Sequence, residues 1–171
     1  MFKHAVGDFS SAVKIQKNLQ KASVALIGLG GVSSYIFYTL SAMSIGKIIS
    51  YEFDVVEESN LSRQMLYTYD DTGMKKIEVA KKKGKRISPT TKYLFYDQKI
   101  ETFDHACLVF EDVDLVICAA DMPRPEFFYL MNKASYARKI PLLYAESSTH
   151  NAVIGPLVIS GKRGVIIVLI M

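Results

Sequence analysis

A chain of 171 residues, half of them hydrophobic, is long enough to bury one sizeable core and too short for two, so a single domain is expected across 1–171. The formal charge of +4 comes largely from one run, Lys75 to Arg86, whose lysines read as a solvated helix face; no nucleic-acid partner is expected. Cys107 and Cys118 make neither a disulfide framework nor a four-cysteine zinc site, the N-terminus has no leader-like apolar region, and no apolar run approaches membrane length, so a cytoplasmic protein with no membrane partner is expected.

Residues Phe9 to Ala22 put Phe9, Ala12, Val13 and Leu19 on one side of a helix, with Lys14, Lys17, Asn18 and Lys21 on the other, making 1–22 an amphipathic leading segment. Ser23-Val-Ala-Leu-Ile27 is a short continuous apolar run ended by glycine, the pattern of a strand buried on both faces of a parallel sheet. The turn that follows, Gly28-Leu-Gly-Gly-Val-Ser33, is of the kind that brings backbone N–H groups and a helix N-terminus to anionic oxygens. A helix from Val32 to Ser44, stopped by Gly46, and a strand from Lys47 to Glu52 complete a strand, turn, helix, strand unit, half a mononucleotide-binding fold.

The stretch from Glu52 to Lys76 mixes acid, amide, guanidinium and ammonium groups directly after a strand. Glu52, Asn60, Arg63, Gln64 and Lys76 are each costly to bury without a partner, so they read as a ligand shell. Asp54 reads equally as a ligand contact or as part of a polar loop, and Glu57 and Glu58 as loop. A helix is expected over Gly73 to Ile87, a strand over Thr91 to Tyr96, and a buried strand over Asp112 to Asp121 that ends in a carboxylate at the sheet edge where open α/β folds bind ligands. Pro123 and Pro125 open a helix through Arg138, Pro141 to Ala145 forms a fifth strand, and Val153 to Ile159 a sixth, placed at the sheet edge because it contains Pro156. The fold expected is α/β: a Rossmann-like, mostly parallel sheet over 23–160 with helices on both faces, then an apolar tail over 161–171 left as a sticky strand.

These residues resemble the ThiF/MoeB/HesA group, adenylate-forming enzymes that activate ubiquitin-like proteins and peptides. The resemblance rests on Gly28, Gly30 and Gly31, then Glu52 and Asp54, then Ser59-Asn60-Leu61-Ser62-Arg63-Gln64, then Gly73 with Lys76, then Asp121, in order and at matching spacing, and covers about Leu19 to Ile159. It implies ATP-dependent adenylation of a C-terminal carboxylate with release of pyrophosphate. The glycine turn would hold the phosphates and Glu52 the ribose hydroxyls; Asn60, Arg63, Gln64 and Lys76 would contact the triphosphate, and Asp121 would work with Mg²⁺. It also implies a homodimer, with a ubiquitin-like protein or peptide as substrate. Carboxylate attack on the α-phosphorus needs little covalent help and much positive charge, which Arg63 and Lys76 supply.

Four departures stand out. Ser33 replaces the third glycine of the turn, and Glu52 stands where the group usually has aspartate. The leading helix offers Lys14, Lys17 and Lys21 where the group commonly donates an arginine to its partner subunit, and lysine has no bidentate fork. After Gly155-Pro-Leu-Val-Ile-Ser-Gly161 the group's Cys-x-x-Cys zinc half-site is replaced by Lys162-Arg-Gly-Val-Ile-Ile-Val-Leu-Ile-Met171, so a truncated domain without zinc is expected, with a truncated or degenerate nucleotide- or partner-binding member as the alternative to an active enzyme. The glycine turn alone would fit NAD or FAD; Arg63 and Lys76 favour a triphosphate. Cys107 and Cys118 sit in apolar runs as core residues, and His4, His105 and His150 lack ligand-spaced partners.

Overall fold

The computed structural model describes residues 9–120, 126–147, 151–162 and 165–170. In chain order these form α1 (Phe9–Leu19), β1 (Ser23–Ile27), α2 (Gly31–Ala42), β2 (Lys47–Tyr51), a long connection with short 3₁₀ turns at Glu58–Asn60 and Tyr69–Asp71, α3 (Lys76–Ile87), β3 (Lys92–Tyr96), α4 (Phe103–Val109), β4 (Leu115–Cys118), α5 (Glu126–Arg138), β5 (Leu142–Ser147), β6 (Asn151–Val158) and β7 (Val165–Ile170).

The strands make one sheet in the order β3-β2-β1-β4-β5-β6-β7. The first five run parallel, with Val24 opposite both Ile48 and Leu115, and β6 and β7 add antiparallel. The apolar runs of β1, β2 and β4 are continuous because both faces are covered. Val24, Leu26, Ile48 and Ile117 pack with α2 and α3 on one side, while Ala25, Ile27, Ile49, Val116 and Cys118 pack with α4 and α5 on the other. Phe37 of α2 is fully buried, its ring 5.8 Å from Tyr93 and 6.1 Å from Phe95. Truncating such a side chain to alanine costs about 3–5 kcal/mol.

Several elements differ from the sequence expectation. The apolar stripe of α1 buries Ala12, but Phe9 is 59% exposed. α3 begins at Lys76, not Gly73, because Gly73 has φ +84° and Lys75 is extended, neither of which an α-helix admits. α4 has no counterpart among the elements expected from sequence; Thr102 caps it, its hydroxyl accepting from the N–H of His105 at 3.2 Å. Of the described part of the expected strand 112–121, β4 spans Leu115–Cys118; before it Asp112 adopts φ +53°, and Asp114 bonds to Ser23 through its backbone N–H at 2.8 Å and through its carboxylate, which accepts from the N–H and hydroxyl of Ser23 at 2.7 and 3.0 Å.

β6 is not an edge strand. The ladder slips on both of its sides around the proline: pairing jumps from Leu143–Leu157 to Ala145–Ile154 against β5, and from Ile154–Ile167 to Leu157–Val165 against β7. Pro156 falls at these irregularities, where its missing N–H withdraws no ladder bond. The expected unpaired tail is instead β7, the outer strand of the sheet. Among the described residues, no helix is long and apolar enough to cross a membrane.

Candidate active site

β1 continues into β2 on one side and neighbours β4 on the other, so the chain reverses its direction of travel across the sheet there. At such a point the loops leaving the strand ends part and open a crevice. Here it is a cavity of about 700 Å³, and Gly28, Gly30, Gly31, Glu52, Asp54, Asn60, Arg63, Gln64 and Lys76 all line it. Nine of the ten residues singled out from the sequence therefore meet in one place; Asp121 lies outside the described residues, as do His4, His150, Pro123 and Pro125.

The glycines differ in what requires them. Gly28 has φ +86°, and a Cβ there would meet the carbonyl oxygen of Ala119 and the Cβ of Ala120 at 3.2 Å. Its N–H donates to the carbonyl of Tyr51 at 2.9 Å, tying the turn to the end of β2. A Cβ at Gly30 or Gly31 would find nothing closer than 3.8 Å, so the chain's own packing does not demand glycine there. The bare backbone lies on the cavity wall at the start of α2, where Gly30 caps the helix with no side chain. Uncapped N–H groups at a helix start suit an anion. Ser33, at the third position of the turn, is fully buried with its hydroxyl oxygen unpartnered.

Glu52 is 6% exposed at the end of β2. One carboxylate oxygen accepts from the N–H of Leu29 at 2.8 Å, and the other from those of Phe53 and Asp54 at 2.8 and 3.0 Å. The acid thus bridges β2 to the glycine turn, and the oxygen with one donor keeps a lone pair for a ligand hydroxyl. The hydroxyl of Tyr67 donates to the carbonyl of the same Leu29 at 2.9 Å. Burial first, then Glu52, Asp71 and Asp54, push the Tyr67 phenol well above its ordinary pKa, so it remains a donor.

The connection 52–75 closes at its own neck: Val55 and Lys75 form an antiparallel bridge, the N–H of Val56 donates to the carbonyl of Met74 and that of Gly73 to the carbonyl of Val56, each at 2.8 Å, and the N–H of Lys76 donates to the carbonyl of Asp54 at 3.0 Å. That closure brings Lys76, first residue of α3, beside Asp54. Its ammonium is 3.2 Å from the Asp54 carboxylate, with the lysine side chain 6% exposed and the aspartate 51%. One half-exposed carboxylate does not saturate a buried ammonium with three donors. Arg63 is exposed and uses one guanidinium nitrogen on the carbonyl of Ser59 at 2.8 Å. Asn60 and Gln64 are 6% and 4% exposed; Asn60 bonds locally to Glu57 and Ser59, while the side-chain oxygen of Gln64 has no partner. Glu52 aside, the wall thus offers two cations and two amides with unused capacity facing two bare glycines.

The cavity also has walls that the sequence reading did not mark. Phe53, Gln98 and Lys99 line the β2–β3 side, with the Lys99 ammonium 4.5 Å from the centre of the Phe53 ring, and Phe127, Glu146 and Ser147 line the β5 side. Gln98 and Glu146 fall at the carboxyl ends of β3 and β5, the edge that flags Asp121, so the same rule extended to every strand would have found them. Cys118 is core: burial pushes its thiol up to about 12. Among the described residues, no group of three histidine, cysteine or acidic side chains converges as a metal cluster.

The ThiF family model matches residues 4–166. The sulfur carrier protein adenylyltransferase of Thermus thermophilus is 34% identical over 129 residues, 75% of this chain and 46% of that protein. A probable molybdopterin-synthase adenylyltransferase of Porphyra purpurea is 34% identical over 106 residues, 62% of this chain and 28% of that protein. Among solved structures, E. coli MccB with ATP superposes with a TM-score of 0.83 at 29% identity, covering 88% of this chain and 45% of that one. The chain spans less than half the length of these relatives.

Proposed function

This chain belongs to the ThiF family, and on that premise we propose that it is the nucleotide-binding part of an ATP-dependent adenylyltransferase that activates the C-terminal carboxylate of a ubiquitin-like protein or peptide. The observation that carries the reading is the buried, half-satisfied ammonium of Lys76 on the wall of a cavity it shares with the glycine turn. A structure built only to fold would not leave such a charge there. The relatives support the chemistry by name: one acts on a sulfur carrier protein, and MccB has been crystallised with ATP and with MccA.

In this reading the substrate carboxylate attacks the α-phosphorus, the P–O bond to the β-phosphate breaks, and pyrophosphate leaves. Arg63 and Lys76 neutralise charge on the transferring and leaving oxygens, acting where charge develops rather than on the ground state. The N–H groups around Gly30 and Gly31 hold phosphate oxygens, Asn60 and Gln64 donate from their amides, and Glu52 accepts from the ribose. The Asp54 carboxylate, 3.2 Å away, holds the Lys76 side chain at the cavity wall. Mg²⁺, which takes one or two carboxylates and keeps several waters, would be held by Asp121; the orphaned oxygen of Gln64 is an acceptor suited to a metal-bound water. When bound, the ion neutralises phosphate charge. We propose a homodimer, as in the resemblance drawn from sequence.

Thermal unfolding with Mg-ATP, with NAD as control and Lys76→Ala alongside, tests the site. Ligand at about 100 times its dissociation constant adds about 2.7 kcal/mol of stability. A shift with ATP alone, lost in the variant, is expected; a shift with NAD and none with ATP overturns the reading. Pyrophosphate exchange with ubiquitin-like proteins and peptides then separates an adenylating enzyme from a module that binds ATP without catalysis.

A further inference from the structure

Asn60 and Arg63 bond within their own segment, to Glu57 and Ser59, so their side chains do not decide where that segment lies. The segment is tied at its neck and by Tyr67 to Leu29, and a further contact comes from α3. Lys83 of α3 donates to the carbonyl of Leu66 at 2.7 Å and to the carboxylate of Asp71, which also accepts from the N–H and hydroxyl of Thr68, each at 2.8 Å. One ammonium therefore grips both ends of the stretch 66–71. Lys83 stands seven residues after Lys76, two turns along the same face of α3. The pair is largely withdrawn from water, with side chains 25% and 12% exposed, unlike the exposed pairs that contribute little. Lys83 does not line the cavity.

We propose that Lys83 is a positioning residue for the triphosphate end of the nucleotide: through Leu66 and Asp71 it sets Arg63 and Gln64 in register with Lys76 and the glycine turn. The proposal rests on reading the cavity as an ATP site. The nucleoside end does not depend on this latch, because Glu52 is held by three backbone N–H groups at the end of β2. Loss of the latch should therefore be felt by the phosphates beyond the first and not by the nucleoside. A merely structural lysine would weaken every nucleotide alike.

The test is calorimetric titration of the full chain with Mg-ATP and with AMP, for the parent, Lys83→Met and Lys83→Arg. Contacts that orient ligand-binding side chains in metal sites are worth about 10- to 100-fold, and the same order is expected here. The expected result is ATP binding weakened about tenfold or more in Lys83→Met, AMP binding changed by less than about twofold, and ATP binding recovered in Lys83→Arg, whose guanidinium reaches the same acceptors. Should Lys83→Met not fold, Asp71→Asn cuts the same contact from the other side and carries the decision. Equal weakening of both nucleotides, or no weakening of ATP, overturns the proposal while leaving the ATP site in place. A parent chain that binds neither nucleotide overturns the ATP reading and the latch with it.

Discussion

The glycine turn and the 52–75 segment face each other across one cavity and are fixed by opposite means. The turn offers only backbone to its anchors: Gly28 packs against Ala119 and Ala120 and bonds to Tyr51, and Leu29 bonds through its N–H to Glu52 and through its carbonyl to Tyr67. Beyond its backbone neck, the segment is held by side chains, with Tyr67 reaching the turn and Lys83 reaching Leu66 and Asp71. A backbone cradle is damaged by adding atoms and a side-chain latch by removing them. Substitutions of the two kinds should therefore separate the two regions.

The largest effect belongs to the turn. Gly28→Val meets a backbone oxygen at 3.2 Å in a left-handed conformation, and is expected to cost about 2–4 kcal/mol and to abolish ATP-dependent stabilisation, as chemical denaturation with and without Mg-ATP would reveal. Lys76→Ala and Arg63→Ala follow, each slowing pyrophosphate exchange about 10²-fold or more; unchanged rates in both would remove those residues from the charge-stabilising role.

Acid should loosen the latch next. Burial would raise the Asp71 pKa, but hydrogen bonds from Lys83 and Thr68 outweigh it and hold the carboxyl below its ordinary value. A folded pKa below the unfolded value of about 3.9 means the stabilisation is present above that pH and is lost as pH falls below it. The gap in melting temperature between parent and Asp71→Asn should be widest near neutrality and shrink in acid. A gap that is constant with pH would mean that the ionised carboxylate does not hold the latch.

Gly73→Ala is the smallest and the sharpest control. Its φ of +84° matches that of Gly28, yet a Cβ there meets nothing within 4 Å. Only the backbone term remains, about 1–2 kcal/mol, and the affinity of the folded chain for ATP should not change. An ATP defect in Gly73→Ala as deep as in Gly28→Val would erase the distinction between the two regions.

What sequence conveys about this molecule follows the range of the interactions. β1 is legible to its exact ends because Ser23-Val-Ala-Leu-Ile27 is bounded by glycine and needs burial on both faces. Glu52, Asn60, Arg63, Gln64 and Lys76 are legible as cavity residues because each is costly to bury without a partner, and the three glycines because they make a turn between a strand and a helix; Asp54 reads equally as loop. α4 escapes because seven residues are too few to establish a period, and β6 is misassigned because Pro156 signals an edge unless one knows that the ladder slips on both sides of it. Lys83 escapes for a different reason: in a run of seven basic side chains nothing local distinguishes it, and its partner lies twelve positions upstream. Long-range pairs that fix a loop leave no local pattern.

The bridge between Val55 and Lys75 has a consequence for how such a protein changes over time. The chain leaves and re-enters the sheet layer through this doorway, so residues added beyond it, away from the packed Leu66 and Tyr67, need not shift the strands. Each doubling of a flexible loop costs only about 0.6 kcal/mol. The part proposed to hold phosphate is in this sense open to lengthening while the seven strands beneath it keep their order.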